Sequence, residues 1–337
     1  MGILLFSGQG SQYYQMGHEL IKSSTIFSHW IKEGCSIASE ILKLDLYNEI
    51  YQERTNRFNP PFTKTLLTHP SIFIFEYALF KHITEEILNE PPKAMLGYSL
   101  GEFVMYAASG LMKYEESLKL ILQQASLMEN LCEPGSMLAI LNSPQLIDNH
   151  PTIFKNVEIA AINLPNHFVV TGKKIDITLV EKQLKAIDVI ALELPVQRAF
   201  HSKYMDPIKN SLEDYCKNIS LNPANLIQPK LALYICSQVS NIQSLIDKNK
   251  CDILNLTWSA IRKPVFFEET MQLLEQEISE SNHLYIDIGA AGTLATFCNN
   301  YFKSRNSSIK AHMTITPMGN DLKRLKQLKE RVAENGK

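Results

Sequence analysis

The stretch AMLGYSLGE, residues 94–102, joins a short apolar run to a segment of helical period. Ser99 has glycines two positions before and two after it, which is the GxSxG pattern of a sharp strand-to-helix turn. On such a turn the Ser99 hydroxyl would stand at a helix N-terminus, where unpaired N–H groups favour negative charge. A pattern with three fixed positions also arises by chance, so a mere small-residue turn stays open on these residues alone.

Working outward, apolar runs alternate with segments of helical period. GILLF (2–6) reads as a strand, 68–87 as a helix, and 94–99 as a strand running into another helix. That alternation predicts an α/β domain with a largely parallel sheet. The texture changes near residue 128. SMLAIL, VEIAAI, HFVVTG, a helix from Asp176 to Lys185 and VIALELPV follow one another closely, as in a small α+β subdomain inserted in the larger one. The larger pattern resumes with a helix after His201, the strand LALYIC (231–236), a helix from about Val265 and the strand HLYIDIG (283–289). In DLKRLKQLKERVAEN, Leu322, Leu325, Leu328 and Val332 recur at helical spacing, which predicts a surface helix packed by one stripe. The proline pairs at 60–61 and 91–92 read as loop punctuation.

The 337 residues are 45% hydrophobic and 20% charged, a composition that excludes disordered and collagen-like chains. With 33 Lys and Arg against 35 Asp and Glu, nothing suggests a broad nucleic-acid surface. The six cysteines have neither CxxC nor zinc-ligand spacing, so reduced, mostly buried thiols in a cytoplasmic protein are expected and no metal site. The apolar stretch Ile72 to Phe80 is interrupted by Glu76 and falls far short of the ~20 residues that span a bilayer, so no membrane helix is expected. MGILLFSGQG lacks a basic leader and reads as a buried first strand rather than a signal peptide, and Phe6 breaks the myristoylation pattern.

A glycine-rich loop, SGQGSQ (7–12), follows the first strand. It satisfies neither GxGxxG nor a Lys-Ser or Lys-Thr phosphate loop, and its other use is an oxyanion hole. A serine nucleophile needs a base, and there are nine histidines. His201 stands out because it falls at a strand-to-helix junction like that of Ser99, where open α/β sheets place their sites. A solvated loop histidine is the alternative.

Taken in order, GQGSQ, GYSLGE and AFHSKYM, with the inserted block between the last two, resemble the acyl-CoA:acyl-carrier-protein acyltransferase family. The resemblance runs from residue 3 to about 312 and takes in THPSIFIFEYAL, NLPNHFVVTG, RKPVFF and YIDIGAAGTL. It implies a large α/β hydrolase-like subdomain with a mainly parallel sheet (1–127 and 197–317), a small inserted ferredoxin-like α+β subdomain (128–196), and a C-terminal surface helix and tail (318–337). It also implies Ser99 as nucleophile, His201 as its base, and the backbone N–H groups of Gln9 and Leu100 as the oxyanion hole. A main-chain carbonyl, that of Phe266, is expected to orient the imidazole. The substrate would bring its own phosphopantetheine, on an acyl carrier protein or CoA, with no bound cofactor and no metal.

Members of this family that take malonyl groups carry an arginine in the pattern RxxxM. The matching segment here is QQASLM, which puts Gln124 at the arginine position. A neutral amide cannot balance a buried carboxylate, and an unpaired buried charge costs about 3–5 kcal/mol. Dicarboxylic acyl groups are therefore expected to be disfavoured by roughly a hundredfold or more, unless another cation such as Arg198 fills the role. Tyr98 replaces the family's usual His before the serine, His69 replaces a Gln, and Phe200 suggests a pocket narrowed beside His201. The set Gln124, Tyr98 and His69 looks like the discrete acyl hydrolases that accompany polyketide synthases lacking integrated acyltransferases. The resemblance thus implies removal of acetyl and other uncharged acyl groups from carrier proteins of a polyketide synthase. A transferase loading a neutral acyl or malonyl unit, and an inactive carrier-binding scaffold, are the alternatives. A monomer in the cytoplasm with carrier-protein partners, no nucleic acid and no membrane completes the expectation.

Overall fold

The computed structural model describes residues 2–52, 62–226, 231–278 and 283–335. Its strands in chain order are β1 (Gly2–Phe6), β2 (Ala94–Gly97), β3 (Gly135–Ile140), β4 (Glu158–Leu164), β5 (His167–Lys173), β6 (Ala191–Glu193), β7 (Ala232–Ile235), β8 (Ser240–Asn241), β9 (Val265–Phe266), β10 (Leu284–Asp287) and β11 (His312–Met313).

The larger sheet has the order β11-β10-β1-β2-β7-β8. Every pairing in it is parallel except that of the edge strand β8 with β7. All five residues of β1 are buried, as expected of a central parallel strand covered by helices on both faces. The helix Thr65–Glu86 lies among the helices Thr25–Leu42, Tyr114–Leu131 and Gly101–Ala108, sets Phe80 against Phe6 of β1, and is buried for most of its length, because its apolar residues run round the whole circumference rather than along one stripe.

The smaller sheet has the order β6-β3-β5-β4-β9. Its first four strands with the helices Leu146–Asn149 and Lys174–Lys185 follow the βαββαβ course of a ferredoxin-like unit. One face buries Leu138, Ile140, Phe168 and Val170 under those helices, forming a separate small core. The opposite face, with Met137, Ala139 and Val169, joins the main core. The side-chain period of two in each strand puts alternate residues into the two cores.

The boundaries differ from expectation in two places. Helix Tyr114–Leu131 runs through residue 128, so the passage into the small subdomain comes after Leu131. The segment expected to begin a helix at Val265 starts instead as β9, which pairs in parallel with β4 and ties the large subdomain to the small sheet. The C-terminal helix Asp321–Asn335 buries Leu325 and Leu328 and leaves Leu322 exposed, a narrower stripe than its spacing predicts. Pro60 and Pro61 lie outside the described residues, and no described helix is long and apolar enough to cross a membrane.

Candidate active site

The chain leaves β2, turns at Tyr98-Ser99-Leu100 and enters helix Gly101–Ala108. Ser99 holds a φ of 56°, a left-handed conformation that costs an L-residue roughly 1–2 kcal/mol. The flanking glycines make it possible. A Cβ at Gly97 would lie 2.6 Å from the Cα of Glu102, and one at Gly101 would collide with the Phe6 carbonyl. Gly97 thus packs against Glu102, and Gly101 against the end of β1, too tightly for any other residue.

The Ser99 Oγ lies 2.8 Å from His201 Nε2. His201 also has a positive φ, 60°, and its N–H donates to the Ile261 carbonyl at 3.1 Å. Its other ring nitrogen, Nδ1, lies 2.8 Å from the carbonyl oxygen of Lys263, not that of Phe266 as the sequence suggests. The Phe266 carbonyl accepts the Thr270 hydroxyl and opens the following helix, so it is committed elsewhere. Lys263 is suited to the role because Pro264 follows it. A residue before proline is driven out of the helical region, and Lys263 is extended at φ −82°, ψ 152°, which frees its carbonyl from the helix Ile253–Arg262. The proline in RKPVFF is the signal that would have marked it.

His201 is buried, and burial pushes its pKa down to about 4, with the Lys263 carbonyl acting in the opposite direction. The imidazole is therefore neutral at pH 7, with its proton on Nδ1 facing the carbonyl and Nε2 free to accept the serine proton. Neither the Gln9 nor the Leu100 backbone N–H has an acceptor among the described residues. Gly8 lets the Gln9 loop approach the elbow, since a Cβ there would come within 2.9 Å of the Tyr98 carbonyl oxygen.

Gln9, His69, Tyr98, Ser99, Leu100, Gln124, Phe200 and His201 line one small cavity of about 50 Å³. Phe266 is the one expected site residue outside it. No Lys, Arg, Asp or Glu lines the cavity among the described residues. Gln124 is 1% exposed on helix Tyr114–Leu131, and its Nε2 has no hydrogen-bond partner among the described residues. Arg198 does not supply the missing cation. Its Nε donates to the Met128 carbonyl at 3.1 Å, Nη1 to the Gln197 carbonyl at 2.9 Å, and Nη2 pairs with Glu129 Oε2 at 2.6 Å. The Tyr98 hydroxyl donates to Asn163 Oδ1 at 2.9 Å, joining the elbow to β4 of the small sheet. His69 lies 5.3 Å from the Phe200 ring, centroid to centroid, and burial lowers its pKa to about 3.

Beneath the site two buried carboxyl groups fix the loops. Glu102 accepts the Ser237 N–H and hydroxyl, each at 2.9 Å, and burial raises its pKa to about 8. Glu76 accepts both the N–H and the hydroxyl of Ser7, at the root of the Gln9 loop. Neither contact announces itself in the sequence, where both residues look like ordinary helix glutamates.

A serine on a strained elbow, a buried neutral histidine and free N–H groups beside them define a two-subdomain α/β protein of the acyltransferase class. The chain belongs to the acyl transferase domain family, whose sequence model matches residues 3–335. It is 36% identical over 323 residues to the polyketide biosynthesis acyltransferase homolog PksD of Bacillus subtilis, covering 96% of this chain and 94% of that one. It is 31% identical over 330 residues to the homolog BaeD of Bacillus velezensis, covering 98% and 96%. The fold matches that of the malonyl CoA-acyl carrier protein transacylase from Clostridium perfringens with a TM-score of 0.76 at 23% identity, over 100% of this chain and 98% of that one.

Proposed function

We propose that this protein is an acyl hydrolase that removes acetyl and other uncharged acyl groups from phosphopantetheine thiols of carrier proteins in a polyketide synthase. Ser99 attacks the thioester carbonyl as His201 Nε2 takes its proton. The N–H groups of Gln9 and Leu100 hold the oxyanion, and the thiol leaves with the proton from His201. Water, deprotonated by the same imidazole, then cleaves the acyl serine. The observation that carries the substrate class is the pocket's neutrality: Gln124 offers an amide at its wall, and Arg198 is held by Glu129 and backbone carbonyls. A free carboxylate would enter unpaired, which costs about 3–5 kcal/mol. The polyketide setting is supported by the names of the relatives PksD and BaeD.

Hydrolysis and transfer share the first half-reaction, so partitioning of the acyl enzyme tests the reading. The acetyl-Ser99 form is generated with acetyl-pantetheine and then challenged with a large excess of holo-carrier protein. Acetate release at an undiminished rate supports hydrolysis. Quantitative acetylation of the carrier would replace this reading with the transferase.

A further inference from the structure

The loop that carries Gln9 closes as a tight turn over Gly8 to Ser11. The Ser11 N–H reaches the Gly8 carbonyl oxygen at 3.4 Å, and the Ser11 hydroxyl donates to the same oxygen at 2.9 Å. A peptide unit is planar and trans, so holding the Gly8 carbonyl on one side directs the Gln9 N–H to the other. Gly10, the third residue of the turn, has a φ of 106°, the positive value that a type II turn requires there. A Cβ on Gly10 would meet nothing within 4 Å, so glycine is needed for its backbone and not for space.

Glycine also permits the alternative turn. Rotating the Gln9–Gly10 peptide converts type II into type I, taking ψ of the second residue from about +120° to about −30°. The Gln12 side chain opposes that rotation. Its Oε1 accepts the Gly10 N–H, which belongs to that same peptide, at 2.7 Å. Its Nε2 donates to the Phe62 carbonyl at 2.9 Å and to the Pro195 carbonyl at 3.1 Å. The amide fits only this way round, since the flipped amide would set an oxygen against two carbonyls. Gln12 is buried and is not among the residues that line the cavity beside Ser99. Pro195 lies six residues before His201, on the chain that leaves the small subdomain.

We propose that Gln12 is a positioning residue of the oxyanion hole: it locks the peptide that follows Gln9 in one orientation and, through Pro195, ties that donor to the segment carrying the base. The inference rests on the reading that Ser99 takes up an acyl group whose oxygen faces the Gln9 N–H, and it holds whether water or a thiol completes the reaction. Ser11 fixes Gln9 from the amino side and Gln12 from the carboxyl side. With the second anchor gone, the loop divides between two turns and the donor is aligned for part of the time. Such a loss is felt most where negative charge on the oxygen is greatest, in the transition state.

The test is Gln12→Met, which keeps the length of the side chain and removes its three hydrogen bonds. Acetyl-Ser99 is formed from acetyl-pantetheine with and without carbon-13 at the carbonyl, and the infrared difference gives the stretching band of that one ester. Only acylated molecules contribute, so a misfolded fraction is silent. In the wild type the band is expected at lower wavenumber than in the unfolded acyl protein, because donors at the oxygen weaken the C=O bond. In Q12M it is expected to move towards the unfolded position, with kcat and kcat/KM falling together by about tenfold to a hundredfold, short of the loss of a whole donor. Gln197→Ala removes a contact from the same segment to Thr63 Oγ1 without touching the loop, and is expected to leave the band in place. A wild-type band in Q12M, or an equal displacement in Q197A, would overturn the proposal while the acyl protein itself upheld the role of Ser99. Absence of acetyl from Ser99 in the wild type would remove that role, and this proposal with it.

Discussion

Ser99 and His201 meet at 2.8 Å from two backbone positions that are both left-handed, with φ of 56° and 60°. Each sits where a strand or loop gives way to a helical turn, and each side chain is thereby thrown into the cleft between the two sheets. Strain of this sort persists only where surrounding contacts over-determine the backbone, and at Ser99 the contacts are Gly97 against Glu102 and Gly101 against the end of β1.

The strain at Ser99 predicts a separation of stability from activity. Ser99→Ala and Ser99→Gly both lose the nucleophile and should lower thioester cleavage by at least about a thousandfold. Glycine tolerates the left-handed turn, so S99G should be more stable than S99A by about 1 kcal/mol. Chemical denaturation of the two variants checks this, and equal midpoints would contradict the strain argument.

Burial holds His201 neutral down to about pH 4, well below its usual 6.5. The base form is the active form, so kcat/KM for acetyl-pantetheine should stay level as pH falls through 6.5 and bend down only near pH 4. A half-maximal point at 6.5 in the pH–rate profile would show that the imidazole is solvated in the free protein.

The same burial makes folding stability depend on pH in opposite senses for two groups. His201 and His69 have folded values of about 4 and about 3, below the unfolded 6.5, so their contribution is present above pH 6.5 and is lost as pH falls towards those values. Glu102 is raised to about 8, so its contribution is complete below its unfolded value of 4.5 and is lost as pH rises through 8. Glu102→Gln keeps the shape and the acceptor for the Ser237 N–H without the titration. Urea midpoints across pH 6 to 9 should therefore fall for the wild type and stay flatter for E102Q.

Restoring the cation at residue 124 should change the substrate. Gln124→Arg places a guanidinium in a pocket that now has no charge, and malonyl uptake relative to acetyl should rise by about a hundredfold, the equivalent of about 3 kcal/mol. Competition between acetyl- and malonyl-pantetheine for acylation of Ser99 in the variant gives the ratio directly. The new charge lacks a partner in the empty pocket, so Q124R should also gain stability when malonyl is bound.

Much of this was legible in the chain because it depends on local spacing. The Gly97 and Gly101 frame around Ser99, the alternation of apolar runs and the placement of Gln124 four residues before Met128 all survive translation into structure. What escaped depends on contacts between distant segments. The carbonyl that faces His201 belongs to Lys263 because Pro264 bends the chain there, and any residue offers a carbonyl. The pairing of Arg198 with Glu129, which removes the alternative cation, joins residues far apart in sequence, on a loop and a helix. The strand β9 is two residues long and exists only because β4 lies beside it. Val265 and Phe266 have too short a run for a period of two to show.

In the proposed function, a neutral pocket makes this protein release uncharged acyl groups from carrier proteins. The most direct measurement mixes the protein at catalytic concentration with equal amounts of acetyl- and malonyl-carrier protein, with no added acceptor, and follows both by intact mass. The acetyl form is expected to decay to the free thiol while the malonyl form decays at least about a hundredfold more slowly. Preferential turnover of the malonyl form would contradict it.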